Sequence, residues 1–387
     1  MNAARLVPTI LVVAAAAFLA FRGCTGRARD AAPTPEPETP PATPGEPAPF
    51  PTLSSPQATA PVPAAPAAAP PAVIEEDPAP GTPVKDGADV SLVVPYRAGT
   101  KSRYRVTDTF LQKDREINAA QAWQFVWDVS TEVVSGDGTG PARIQFKIDS
   151  FEFTTSDAIG RNLKFRSSEP DKALLADVQF ARSMKPMMAT LGMPVEFVIG
   201  AGGDITAVEG VNGVTRAFFD AVDTLGAQYS KDAGDAPTTE TLTQKWSEIL
   251  YPPLGGGSLK AGATRDAALR TTYYDRWCSV TSGQIRVTND DADAFRVEFK
   301  GKPEIEELNR PAKNASAVGV AKVRVAASKD CVTAAWRFDR KTGRLVRGEL
   351  SAKFRMDVSN ATPGVGSGFS ATYTDIERRV VTELLGK

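Results

Sequence analysis

Four methionines, Met184, Met187, Met188 and Met193, crowd into one short stretch, and their thioethers suggest two kinds of chemistry. Such a cluster can ligate Cu(I), or it can line an adaptable apolar groove, because methionine is unbranched and repacks around varied ligands. The chain contains no histidine, which weighs against copper. Met184, Met187 and Met188 are therefore the candidate lining of a site for a lipid or another apolar molecule, with ordinary core packing as the plain alternative. The lack of histidine also excludes Ser-His-Asp triads, Cys-His pairs and His-ligated catalytic zinc. There are three cysteines. Cys24 follows an apolar run and is a candidate for lipidation, while Cys278 and Cys331 are expected to form a disulfide if the protein is exported.

Other chemical patterns are weaker. Ser183-Met184-Lys185, Ser258-Leu259-Lys260 and Ser351-Ala352-Lys353 are Ser-x-Lys matches too short to be diagnostic, and no Ser-x-x-Lys occurs. Asn289-Asp290-Asp291-Ala292-Asp293 begins like a calcium loop, but Ala294 stands where glycine belongs and Lys300 where glutamate belongs, so an exposed acidic turn is expected. Acidic residues such as Glu304, Glu306 and Glu307 are plentiful, but sequence does not set two of them across a cleft. No metal or other cofactor is expected.

Composition divides the 387 residues sharply. Leu6 to Phe21 is an uncharged, mostly apolar run of signal-peptide length, short for a ~20-residue membrane span. Residues 1–26 are read as a signal or membrane-anchor segment. Three outcomes stay open there: acylation at Cys24 despite Arg22 in the lipobox, an uncleaved anchor, or cleavage near Ala17 or Ala20. Arginines after the run favour a cytoplasmic placement of that side, but the tether and the cysteines favour export. Residues 27–90 hold most of the prolines, 18 of 30 lying between 31 and 90, and read as a disordered Pro/Ala-rich linker with polyproline II bias. The body, 91–387, has 40 basic and 37 acidic residues and no nucleic-acid footprint.

The elements that must position any site are mostly strands. Trp123, Phe125, Trp127, Val129, Thr131 and Val133 alternate on one face, and a glycine-rich turn leads to Ile144, Phe146 and Ile148, which predicts an antiparallel hairpin. Similar runs occur at 104–110, 267–273, 284–287, 295–299, 318–325, 332–338 and 349–356. Helical periodicity predicts helices over 172–191, kinked or ended by Pro186, over 214–225 and over 239–250. Two stretches recur in order: Arg97-Ala98-Gly99-Thr100 with Lys260-Ala261-Gly262-Ala263, and the hairpins following Val195-Glu196-Phe197 and Trp336-Arg337-Phe338. The fold class expected is α+β, mostly antiparallel β, with two related β modules, about 91–250 and 251–387, carrying helical insertions.

Together with Tyr251-Pro252-Pro253-Leu254 and the Phe338-Asp339 to Leu345 hairpin, these openings resemble uncharacterised bacterial envelope lipoproteins with duplicated β modules. A looser similarity is to the periplasmic lipoprotein-carrier fold. The resemblance implies a cell-envelope setting and no activity. The expectation is a non-enzymatic protein, exported and tethered to a membrane of the bacterial envelope through its N-terminal segment, holding an apolar ligand. The alternative is a histidine-free envelope hydrolase using paired carboxylates. No nucleic-acid partner is expected, and protein partners are unknown.

Overall fold

The computed structural model describes residues 89–386 except 115–118, 157–161, 227–236, 274–276, 291–292, 308–320, 327–330 and 361–369. The expected signal segment, Cys24 and almost all of the linker lie outside the described residues. One boundary moves: β1 (Asp89–Ser91) pairs with β8 (Ser258–Lys260), and Val90 is buried, so the body begins before residue 91.

The body is mostly antiparallel β, as alternation predicts. The longer strands are β2 (Lys101–Asp114), β3 (Ala119–Gly136), β4 (Ala142–Ser156), β9 (Thr264–Tyr273), β10 (Trp277–Asp290), β11 (Ala294–Glu307), β13 (Val332–Asp339), β14 (Leu345–Asn360) and β15 (Ser370–Leu384). Shorter ones are β5 (Asn162–Arg166), β6 (Val195–Ile199), β7 (Ile205–Glu209) and β12 (Ala321–Ala326). All thirteen belong to one sheet ordered β7-β6-β4-β3-β2-β15-β14-β13-β11-β10-β9, with β5 on β4 and β12 on β14.

Pairing repeats along this sheet. The order β2-β3-β4-β6-β7 recurs as β9-β10-β11-β13-β14, and β15 joins the first strand of one set to the last of the other. The two opening turns match in detail. Gly99 (φ 81°) donates to the Val133 carbonyl at 2.8 Å, and Gly262 (φ 85°) donates to the Val287 carbonyl at 3.1 Å. Both left-handed positions suit glycine. The hairpins match too: Gly200 N–H donates to Asp204 at 2.9 Å and Asp339 N–H to Arg344 at 2.8 Å, each closing a turn with a positive-φ glycine. Both sets contribute to one hydrophobic core, so they form a single body.

The helices are α1 (Lys172–Ala176), α2 (Val178–Ala189), α3 (Val211–Asp223) and α4 (Thr239–Ile249). The 172–191 segment breaks at Asp177, whose carboxylate accepts from Phe180 N–H at 3.0 Å, and α2 continues through Pro186. Of the two outcomes expected at Pro186, a kink or an end, the helix does not end there: the break lies at the Asp177 cap. Helix α4 starts at a capping box of Thr238 and Thr241 and packs against β7, β9 and β14. Gly255 N–H donates to Gly202 O at 2.9 Å beside β7, and Arg265 on β9 donates to the Leu254 and Gly256 carbonyls. Both free edges therefore meet the 250–257 segment, and the sheet is curled around α4.

The inner face is apolar and the outer face is charged. Cross-strand ion pairs on the outside include Arg105–Asp128 at 2.9 Å, Lys101–Glu132 at 3.2 Å, Lys353–Glu377 at 2.5 Å and Arg379–Glu349 at 2.5 Å. Each contributes little to stability. As a set they give a wall that faces water, opposite in polarity to the lipid-facing band of a membrane barrel.

Candidate functional site

Alternation along β2, β3 and β15 sends every second side chain inward, and Asp108 and Arg378 are charged residues at such positions. Asp108 on β2 and Arg378 on β15 meet inside the sheet, with Arg378 Nε 3.0 Å from Asp108 Oδ1 and Nη2 2.8 Å from Oδ2. The same Nη2 lies 2.7 Å from Glu248 Oε1 on α4. Glu248 is 1% exposed and Arg378 5%. The guanidinium plane is committed to Asp108, so neither Glu248 oxygen receives a well-directed hydrogen bond.

Burial pushes the Glu248 carboxyl up to about 7, with Arg378 only partly opposing it. Burial alone would discourage the charge on Arg378, but Asp108 and Glu248 more than offset this, and its pKa lies well above the ordinary value. One turn away from Glu248, the Lys245 ammonium sits 3.8 Å over the Trp127 ring. Gln244 and Trp246, both buried, each present a polar atom without a hydrogen-bond partner in the structure.

Glu248 carries a pH prediction. The unfolded chain releases this proton near its ordinary value, whereas the native protein keeps it until about 7. In that window the native state binds more protons, so stability falls as pH rises from about 4.5 to 7. Glu248→Gln should abolish this part of the dependence and leave the variant more stable above pH 7, by up to ~3 kcal/mol. Urea unfolding of both proteins at several pH values between 5 and 8 checks it; parallel curves would contradict the assignment.

Above this charged layer lies an aromatic row. Trp127 is buried, while Phe125 and Trp123, further along the same face of β3, are only half-buried, as is Phe153 on β4. Phe110 stacks on Trp123 with ring centroids 4.4 Å apart, and Phe125 stacks on Trp127 at 5.1 Å.

The methionines divide between core and surface. Helix α2 lies over the inner face, its Phe180 edge-on to Phe165 at 5.3 Å. Met184 is 4% exposed within the core, and Met187 and Met188 pack against that core. None lines the small, partly open cavity of about 20 Å³ found elsewhere among the described residues, whose walls include Tyr96, Ser102, Tyr104, Thr131, Tyr251 and Arg344.

The expected disulfide is corrected by strand register. Cys278 pairs with Glu306 on β11, while Cys331 precedes Val332, which pairs with Gly301 on the other side of β11. Two inter-strand spacings, roughly 10 Å, separate the backbones before the offset along the strands is added, beyond disulfide reach. The Ser351/Lys353 match lies on the outer face, with Lys353 paired to Glu377. No group of three or more metal-ligating side chains is found among the described residues.

Sequence reasoning missed Asp108, Glu248 and Arg378. The available signal was a charged residue at an inward position of an otherwise apolar alternation. Asp108 stands between Val106 and Phe110, and Arg378 between Ile376 and Val380.

No protein-family model matches the chain, and no curated protein matches it. Among solved structures, similarity is found to lipovitellin, described for its lipid–protein interactions, at 12% identity and a TM-score of 0.37 over 75% of this chain. The chain spans 25% of the lipovitellin chain. DynF from dynemicin biosynthesis in Micromonospora chersina matches at 8% identity and a TM-score of 0.18, covering 79% of this chain and 90% of DynF. OccK5 from Pseudomonas aeruginosa matches at 9% and 0.19, covering 74% and 98%. At these scores the likenesses carry no argument about activity.

Proposed function

We propose that this is a non-enzymatic protein of the bacterial cell envelope, tethered to a membrane by its N-terminal segment, which holds the acyl chain of a lipid against the aromatic row of its inner face. One observation carries the ligand reading: Trp127 is buried, but Phe125 and Trp123 on the same face of β3 and Phe153 on β4 are only half-buried, so large apolar surface is left partly covered at that end of the row. The ligand's apolar part would replace water on Trp123, Phe125 and Phe153, and an anionic head would find Lys245 at the base of the row. The site proposed is therefore the aromatic end of the sheet and not the methionine cluster. Membrane tethering and the envelope setting rest on the signal-like start, the Pro/Ala linker and the family resemblance.

The hydrolase reading has less support. Asp108, half-buried, and Glu248, fully buried, are the acidic pair of the inner face, but both are engaged by the same arginine. An acid–base pair flanking a scissile bond needs one carboxyl free to give its proton to substrate.

The test uses a fatty acid carrying a spin label on its acyl chain, added to the full chain. Indole fluorescence should be quenched saturably, and Trp123→Phe should remove much of the quenching. Trp123→Ala with Phe125→Ala should weaken binding about tenfold or more, since each aromatic contact is worth on the order of 1 kcal/mol. Quenching that is linear in probe and unchanged in the variants would sink the proposal.

A further inference from the structure

A second, unrelated site lies where the β13–β14 turn meets the segment before β2. There the β13–β14 hairpin folds back over β2 and β3, and Gly343 (φ 69°) lies so close to Pro95 that a Cβ would come within 2.9 Å of its backbone. This close approach brings Arg344 to the cavity of about 20 Å³, together with Thr342, Thr100, Ser102, Thr131 and the three tyrosines. Tyr96, Tyr104 and Tyr251 are 5–6% exposed. Tyr251 and Tyr104 have partners for their hydroxyls in Thr131 and in Ser102 with the Leu345 backbone N–H.

Arg344 is different. Its Nε is shielded from solvent and has no hydrogen-bond partner in the structure. The nearest acid in the same turn, Asp339, is already occupied by the Lys341 and Thr342 N–H groups and the Thr342 hydroxyl. A shielded cationic atom beside a hydroxyl-lined void is costly unless something in the void compensates it. The void is partly open, and its volume of about 20 Å³ suits one water or a monatomic ion better than a larger anion such as sulfate.

We infer that this cavity binds a small monovalent halide, chloride in the cell, held by Arg344 and the Tyr96 hydroxyl. Burial makes the tyrosine hydroxyls poor acids that stay protonated, so Tyr96 donates to an anion at any physiological pH. The ion would lock the Thr342–Leu345 turn onto the segment before β2, and so fasten the second repeat's hairpin over the opening turn of the first.

The experiment measures thermal unfolding of the full-length protein in sodium chloride and in sodium gluconate at equal ionic strength, since gluconate is too large to enter. Tm should be higher in chloride, on the order of 5 °C once chloride is a hundredfold above its dissociation constant. Arg344→Met should unfold at the same temperature in both salts, and Tyr96→Phe should need several-fold more chloride for the same shift. If Arg344→Met does not fold, ³⁵Cl line broadening by the wild type, reversed by bromide, decides the matter alone. Equal Tm values in the two salts with no line broadening would mean that the cavity holds only water, and the inference fails. A chloride response retained in Arg344→Met would overturn it equally.

Discussion

Replacing Arg378 by methionine should lower the free energy of unfolding by about 3–5 kcal/mol at neutral pH, among the largest losses expected of a single side chain here. Methionine fills much of the volume, so packing is not the main reason. The substitution strands Asp108 and Glu248 inside the sheet with only Lys245, one turn from Glu248, left to answer their charge, so the pair must take up protons or draw in water. The loss should shrink as pH falls and the acids are neutralised. It should also shrink in the triple variant with Asp108→Asn and Glu248→Gln, which removes the stranded charges. Urea denaturation of the three proteins at pH 5 and pH 8 checks this. If Arg378→Met costs the same at both pH values and is not relieved in the triple variant, the cluster is not the buried charge network described.

Trp246→Ala should cost a similar amount, about 3–5 kcal/mol, for a different reason. Trp246 is fully buried on the helix around which the sheet curls, its ring 4.4 Å from Phe146 and 6.4 Å from Trp127 by centroids. Alanine leaves a void that strands on several sides cannot collapse into, because each is held by its own neighbours. Trp246→Phe should cost much less, since it keeps most of the contact and deletes an indole N–H that has no partner. The comparison separates cavity formation from loss of polarity: similar losses in both variants would mean that the indole nitrogen has a partner, such as a water.

Much of the fold was legible because its signals are local. Period-two alternation located β3 and β4, and the Ala-Gly openings marked turns whose hydrogen bonds superimpose in kind. The strand at the middle of the sheet was not read. In β15 the apolar alternation of Ile376, Val380 and Leu384 is interrupted by Arg378 and Thr382, both of which nevertheless point inward. A buried charge paired with residues 130 and 270 positions away looks, in a window, like a solvated one. The methionines were ambiguous for the converse reason. Thioether flexibility fits a groove and a tightly packed core equally well, and only tertiary packing, which buries Met184 and half-buries Met187 and Met188, separates the two. The disulfide failed on register, which depends on which strands pair and by how much each is offset.

The placement of β15 also governs the order of events during synthesis. It emerges after every other strand of the sheet, yet it alone joins β2 to β14. Until then β2 and β14 each present a long edge of unpaired N–H and C=O groups, a surface prone to pairing with the wrong chain. Arg378 arrives on the same strand, so Asp108 and Glu248 also wait for their cation. The body therefore cannot lock in stages as it leaves the ribosome, and a nascent chain must be kept apart from its neighbours until its final strand can insert.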